Sequence, residues 1–197
     1  MLATTDAIVL SLQPHSDKAH VLHAYTRAGG RVNYMVYGLG RKNAAGKYNP
    51  LAVIQLSADF PAAQSGLGGK FPTVRTAQLT FIPQTTITDP HKRTIALFIS
   101  EVLFHVLRHP MTDEPMFDFL VQTIEELDRT IEPQNFHLAF LVNFAAKLGF
   151  KMEKEPEFPT SRIRRQTVLK ALCEYMAEHV ETWQDPKSLD VLMEVFD

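Results

Sequence analysis

Cysteine is nearly absent: Cys173 stands alone among 197 residues. One thiol closes no disulfide within the chain and builds no cysteine-rich zinc site, which fits a reducing cytosol although a lack of disulfides permits other compartments; a cytoplasmic protein is expected, and no metal or other cofactor. Long apolar runs are missing as well. The most hydrophobic segment, Phe136 to Phe150, is broken by His137, Asn143 and Lys147. It is too short to span a bilayer and reads as a buried core helix, so no membrane association is expected. Met1 to Asp6 lacks a basic stretch followed by an apolar run, and no signal peptide is expected.

The common catalytic signatures are also missing. There is no Gly-x-x-x-x-Gly-Lys-Ser/Thr, no Gly-x-Ser-x-Gly and no His-Glu-x-x-His. Gly38-Leu-Gly40 lacks the third glycine and the helix that a dinucleotide site needs. His15, His20 and His23 are close in sequence, but a strand sends His20 and His23 to opposite faces. Glu101, Glu125 and Glu126 fall on helix faces where carboxylates are usually solvated, and Cys173 reads as packed core. No catalytic residue is expected.

What is present is a globular composition, 45% hydrophobic, with a net charge of −2 that hides an asymmetry. Residues 1–82 carry eight Lys and Arg against three Asp, a balance of +5, which leaves −7 for residues 83–197. A basic first part beside an acidic second part points to an anionic partner for the first.

The period of the apolar pattern changes at the same place. Asp6–Leu12, Ala19–Thr26, Arg31–Tyr37, Pro50–Phe60 and Thr73–Ile82 read as five short strands, separated by proline, glycine and polar turns. Five strands in this span suggest a small closed barrel, either of the oligonucleotide/oligosaccharide-binding (OB) type or SH3-like. From Thr88 the period becomes helical. Asp89-Pro90 opens one helix, Thr112 caps the next and Pro133 precedes the apolar third, which Gly149 stops. Arg162–Glu181 and a last helix introduced by Asp185-Pro186 follow. The expected architecture is α+β multidomain: a five-stranded β-barrel over residues 1–82, then an all-α helical bundle over residues 83–197.

The stretch Arg31 to Pro50 carries the main functional signal. Its first half is strand-like, and its second half joins Gly38, Gly40 and Gly46 to Arg41, Lys42 and Lys47. Arg31, Arg41, Lys42 and Lys47 are candidate phosphate contacts, and Tyr34, Tyr37 and Tyr48 are weaker candidates as stacking platforms for bases, with barrel core the alternative for each because alternation sends half of them inward. Phe71 beside Lys70 adds a further aromatic. Arg162, Arg164 and Arg165 form a second cationic spot in an otherwise acidic part, placed to meet a partner or to pair with Glu155 and Glu157.

The order of several short motifs resembles the bacterial DNA repair protein RecO family, especially its Bacteroidetes members. These are Thr5-Asp-Ala-Ile-Val-Leu10, His15-Ser-Asp-Lys18, Arg31-Val-Asn-Tyr-Met-Val-Tyr-Gly38, Asn49-Pro50-Leu51, Ile95-Ala-Leu-Phe-Ile-Ser-Glu-Val-Leu103, Met116-Phe-Asp-Phe-Leu120, Phe136-His-Leu-Ala-Phe-Leu141, Leu148-Gly-Phe150 and Lys187-Ser-Leu-Asp-Val-Leu192.

The resemblance implies an OB-fold barrel followed by a helical domain, in a recombination mediator that is not an enzyme. It implies binding of single- and double-stranded DNA and annealing of complementary strands. It further implies work with RecR, sometimes RecF, and loading of RecA on DNA covered by single-strand-binding protein (SSB), whose acidic C-terminal tail docks on the helical domain. Two features depart from the family pattern. Many relatives bind zinc through four cysteines, where this chain has Cys173 alone. The link Lys151 to Pro159 is also short, which implies a trimmed helical domain. The alternative from another class is a protein-interaction module that uses the barrel as a docking platform.

Overall fold

β-Branched and aromatic side chains at alternate positions form five strands among the described residues. They are β1 (Leu2–Ser16), β2 (Ala19–Thr26), β3 (Gly30–Tyr37), β4 (Val53–Asp59) and β5 (Thr73–Leu79). The computed structural model describes residues 2–39, 46–59, 71–154 and 156–195. The strands close into a barrel in the order β1-β2-β3-β5-β4. All contacts are antiparallel except β3 with β5, which meet in parallel at Met35 and Thr73. There the Met35 N–H donates to the Pro72 carbonyl at 2.8 Å. This is the OB arrangement, and it removes the SH3-like alternative.

β1 is longer than the pattern predicts because it serves two partners. Leu2–Ile8 pair with β4 and Ala7–Ser16 pair with β2, so the strand must bend between them. A register shift between Val9 and Ser11 accompanies the turn of the strand, and a second between Pro14 and Ser16 lets proline sit in the ladder without its missing N–H. At the barrel's core Ala7, Val9, Leu22, Ala24, Ile54, Leu56, Ala58 and Ala77 surround the rings of Tyr34 and Tyr48. The small alanines make room for the two large side chains. Leu51 adopts φ 62°, a left-handed conformation that costs a residue with a Cβ about 1–2 kcal/mol. It is held there by burial and by its N–H, which donates to the Val9 carbonyl at 2.8 Å.

The first compact unit is not residues 1–82 alone. Leu107–Val121 belongs to it as well. This segment is clasped to the β2–β3 hairpin: the Arg31 N–H donates to the His109 carbonyl (3.3 Å) and the Thr112 hydroxyl to the Ala28 carbonyl (2.7 Å). Arg27 pairs with Asp118 at 2.7 Å and lies 4.4 Å above the Phe117 ring, which stacks on Tyr25. Gly30 has φ 61°, and a Cβ on it would overlap the backbone of Met111 and His109, so only glycine fits under the clasp. Thr112 is therefore spent on the hairpin. The cap of the second helix is Asp113, whose carboxylate accepts the Met116 N–H at 2.9 Å.

The helices are α1 (Pro90–Val106), α2 (Glu114–Arg129), α3 (Phe136–Lys147), α4 (Arg162–His179) and α5 (Leu189–Val195). Asp89 caps α1 through the His91 N–H at 2.8 Å. The second unit comprises Pro83–Val106 and Gln122–Asp197, with the apolar α3 packed against α1 and α4. Glu101 is not a solvated carboxylate. It accepts both the N–H (2.9 Å) and the hydroxyl (2.7 Å) of Ser188 just ahead of α5.

Three of the buried polar groups in this unit are Asp128, Lys92 and His137. The Asp128 carboxylate accepts the backbone N–H groups of Gln84 (2.9 Å), Thr85 (2.9 Å) and Thr86 (2.7 Å). Lys92, 4% exposed, donates to the Asp128 carbonyl at 2.7 Å. Burial raises the Asp128 carboxyl, but the N–H donors and the Thr86 hydroxyl outweigh it and hold the group at about 2. His137 is 1% exposed, edge-on to Phe98, and burial followed by the nearby Arg165 charge pushes its imidazole down to about 3.

Both shifts make the unit acid-labile, in successive windows that overlap between about 4 and 3. An unfolded His137 takes a proton near 6.5 and the folded one only near 3, so stability falls as pH drops from 6.5 towards 3. Asp128 binds its proton near 3.8 unfolded and about 2 folded, so its contribution, on the order of 2 kcal/mol, is lost as pH falls through 4 to 2. Unfolding followed by circular dichroism should show both. H137Q should flatten the first window and leave the second, and D128N should do the reverse.

Candidate nucleic-acid interface

Strand alternation sorts the residues of the basic stretch. On β3, Val32, Tyr34 and Val36 point into the barrel, so Arg31, Asn33, Met35 and Tyr37 form the outward row. Tyr37 is 58% exposed and offers its ring to solvent. Tyr34 and Tyr48 do not, at 1% and 5% exposed. Their rings fill the core, which excludes the stacking role expected of them, and burial alone raises the Tyr34 phenol to about 12. Tyr48 sits on a single turn of 3₁₀ helix, Gly46–Tyr48, whose Lys47 donates from Nζ to the Ala77 carbonyl at 3.0 Å. The Lys47 ammonium lies 5.4 Å from the Tyr48 ring centroid, so its charge is fixed at this end of the barrel. Arg41 and Lys42 lie outside the described residues, as does Lys70. Phe71 is 42% exposed.

Arg31 is half-buried under the clasp. Its Nη1 donates to the Leu107 carbonyl at 3.5 Å, and its Nη2 lies 3.4 Å from His23 Nδ1. That imidazole nitrogen is 2.7 Å from Asn33 Oδ1, the shorter and better bond, so Nδ1 carries the proton and Arg31 makes only a close contact with it. Burial and then the charge of Arg108 lower the Arg31 guanidinium to about 10, which leaves it protonated at neutral pH. Burial lowers the His23 imidazole too, against the pull of Asn33 and with the push of Arg31, so it is mostly neutral there. Arg108 is a member of this neighbourhood that the pattern of the chain does not reveal, because it follows a helix nearly eighty residues downstream.

In the second unit Arg162 and Arg165 line a cleft of about 440 Å³ together with Asp89, His91, Ile131 and Thr160. The two arginines differ in kind. Arg165 is 8% exposed, and it donates from Nε to Asn135 Oδ1 (3.1 Å) and from Nη2 to the Thr160 carbonyl (3.3 Å). The Asn135 amide in turn donates to the Pro159 carbonyl at 3.1 Å, so the pair fastens the end of the short link to α4. Arg162 is exposed and reaches the Met193 carbonyl at 3.4 Å. Arg164 is exposed and does not line the cleft. Among the described residues no three His, Cys, Asp or Glu side chains are placed to hold a metal ion, and no helix is long and apolar enough to cross a membrane.

Residues 87–155 match the family model described as Recombination protein O C terminal. Over the full length of both chains, this one is 27% identical to the DNA repair protein RecO of Christiangramia forsetii and 26% identical to that of Flavobacterium johnsoniae. It is 34% identical to the protein of the same name from Bacteroides fragilis over 154 residues, 76% of this chain and 61% of the relative. The first of these alignments spans 239 positions against the 197 residues here, so it carries gaps in this chain. The family-model match ends at residue 155, inside the short link.

The sorting of the tyrosines has a direct test. Y34A and Y48A should each lower the unfolding free energy by about 3–4 kcal/mol, as truncation of a large core ring does. Y37A should stay within about 0.5 kcal/mol of wild type, as a surface change does.

Proposed function

Because the chain belongs to the RecO family of DNA repair proteins, we propose that it is a recombination mediator that binds DNA through its barrel and catalyses no bond-breaking step. The observation that carries this reading is the outward row of β3. It places Arg31 and exposed Tyr37 on one face of an OB barrel, next to a stretch that holds Arg41, Lys42 and Lys47. Charge meets phosphates and an exposed ring meets a base, which is the combination that single strands need. Such a surface binds single- and double-stranded DNA through the backbone and brings complementary strands together for annealing. On this reading the protein works with RecR, and sometimes with RecF, to load RecA onto DNA coated by SSB.

The cleft beside α4 is the proposed seat of the SSB tail. Arg162 supplies positive charge, and Ile131, 93% exposed, supplies an apolar contact for a tail that is acidic and apolar. Arg162 makes the direct contact and Arg165 holds the wall of the cleft, while Arg164 is exposed outside its lining.

Fluorescence anisotropy of a labelled single-stranded oligonucleotide at several salt concentrations tests the DNA site. Affinity should fall steeply with salt, and replacing Arg41, Lys42 and Lys47 by Ala should reduce the log–log slope by about 2, at roughly 0.7 per phosphate contact. An unchanged slope removes this stretch from the site, and no binding even at low salt leaves the interaction-module reading instead. For the cleft, calorimetry with an SSB tail peptide should show R162A weakening binding by about tenfold, a loss of about 1.4 kcal/mol. A triple Ala variant at 162, 164 and 165 that binds like wild type ends this placement.

A further inference from the structure

The clasp that holds Leu107–Val121 on the barrel also brings the backbone of a cationic residue against Arg31 of the β2–β3 hairpin. The Arg31 side chain reaches the Leu107 carbonyl, and the Arg31 backbone N–H bonds the His109 carbonyl. The residue between those two carbonyls is Arg108, exposed to solvent. Its backbone is thus gripped on both sides by one residue of β3, which places it before any ligand arrives. The face it joins is the one that OB barrels use for oligonucleotides, formed by their second and third strands.

We propose that Arg108 joins Arg31 in a two-arginine cradle for one backbone phosphate of a DNA strand laid along the outward row of β3. The assignment rests on the DNA-binding reading above and adds to it a residue from outside the barrel strands.

Three observations support the cradle. Arg31, half-buried, bonds the carbonyls on both sides of the exposed Arg108, and where two like charges are brought near each other an anion relieves the repulsion. The proximity is felt in the titration of Arg31, which burial and then the Arg108 charge depress. The row has a direction as well: Arg31 stands at one end, Asn33 and Met35 follow, and Tyr37 stands at the other, 58% exposed. Six residues of strand separate the two ends by about 20 Å, a span suited to a few nucleotides within the roughly 4–16 that an OB barrel covers. A phosphate in the cradle and a base on Tyr37 would fix the two ends of that segment.

The test is anisotropy of a labelled oligo-dT with the full chain, across a salt series, for wild type, R108A, R108K and R129A. Arg129 pairs with Glu125 on an exposed helix face and serves as a charge-matched control. Because Arg108 is exposed, R108A should fold and melt like wild type. It should bind about fivefold more weakly at low salt, with a log–log salt slope smaller by about 0.7, the share of a single phosphate contact. R108K should keep most of the slope but lose part of the affinity, since an ammonium cannot grip phosphate with two parallel bonds. R129A should match wild type. If wild type binds while R108A keeps its affinity and slope, the cradle is overturned and the barrel reading stands. If wild type itself fails to bind at low salt, both are overturned.

Discussion

In a closed barrel of five strands, every second residue of each strand must enter a core too small to hold water, and the residues between are forced outward. That constraint decides more about this protein than any single contact. It takes two tyrosines of one strand and makes Tyr34 into core while leaving Tyr37 on the surface. It also aligns Arg31 with Tyr37, because six residues is an even number on a period of two. Closure itself depends on β1, which lends its first half to β4 and its second to β2, and on the parallel contact of β3 with β5. Without closure neither face of β3 would be defined.

The first unit is completed by chain that lies beyond α1. Leu107–Val121 covers one end of the β2–β3 hairpin, and the fit is tight enough that Gly30 cannot bear a Cβ. The ion pair of Arg27 with Asp118 is partly exposed and worth at most about 1 kcal/mol. Burial of Phe117 against Tyr25, with the Arg27 guanidinium above its ring, carries more. The consequence for function is that Arg31, a candidate phosphate contact, is also a fastener. It holds the clasp through its carbonyl contacts while keeping its charge at neutral pH.

The second unit solves a different problem, that of polar groups inside an apolar bundle. Lys92 and Asp128 are both buried, and each is met by hydrogen bonds rather than left to bear the cost of desolvation. His137 meets that cost by staying neutral. Glu101 and Arg165 are used in the same structural way, tying Ser188 and the end of the short link to the helices. Arg162 differs from these, since it lies on the surface at the mouth of a cleft. Two arginines three residues apart therefore have separate tasks, one set by burial and one by exposure.

Much of this was legible in the residues themselves. The change of period near Thr88 separates strands from helices, and the Asp89-Pro90 cap and the apolar α3 follow from local rules that operate over one or two turns. The basic stretch and the charge asymmetry separate a cationic barrel sequence from an acidic helical one. Composition could not sort the tyrosines, because strand phase is a property of the pairing register and not of the residue. Nor could it choose between barrel types, return Leu107–Val121 to the barrel or bring Arg108 beside Arg31, since each depends on segments far apart in the chain. Thr112 and Glu101 show the same limit. Both read as local, a helix cap and a solvated carboxylate, until a distant backbone group claimed them. Local physics decides the elements, and long-range packing decides which of their side chains remain available for function.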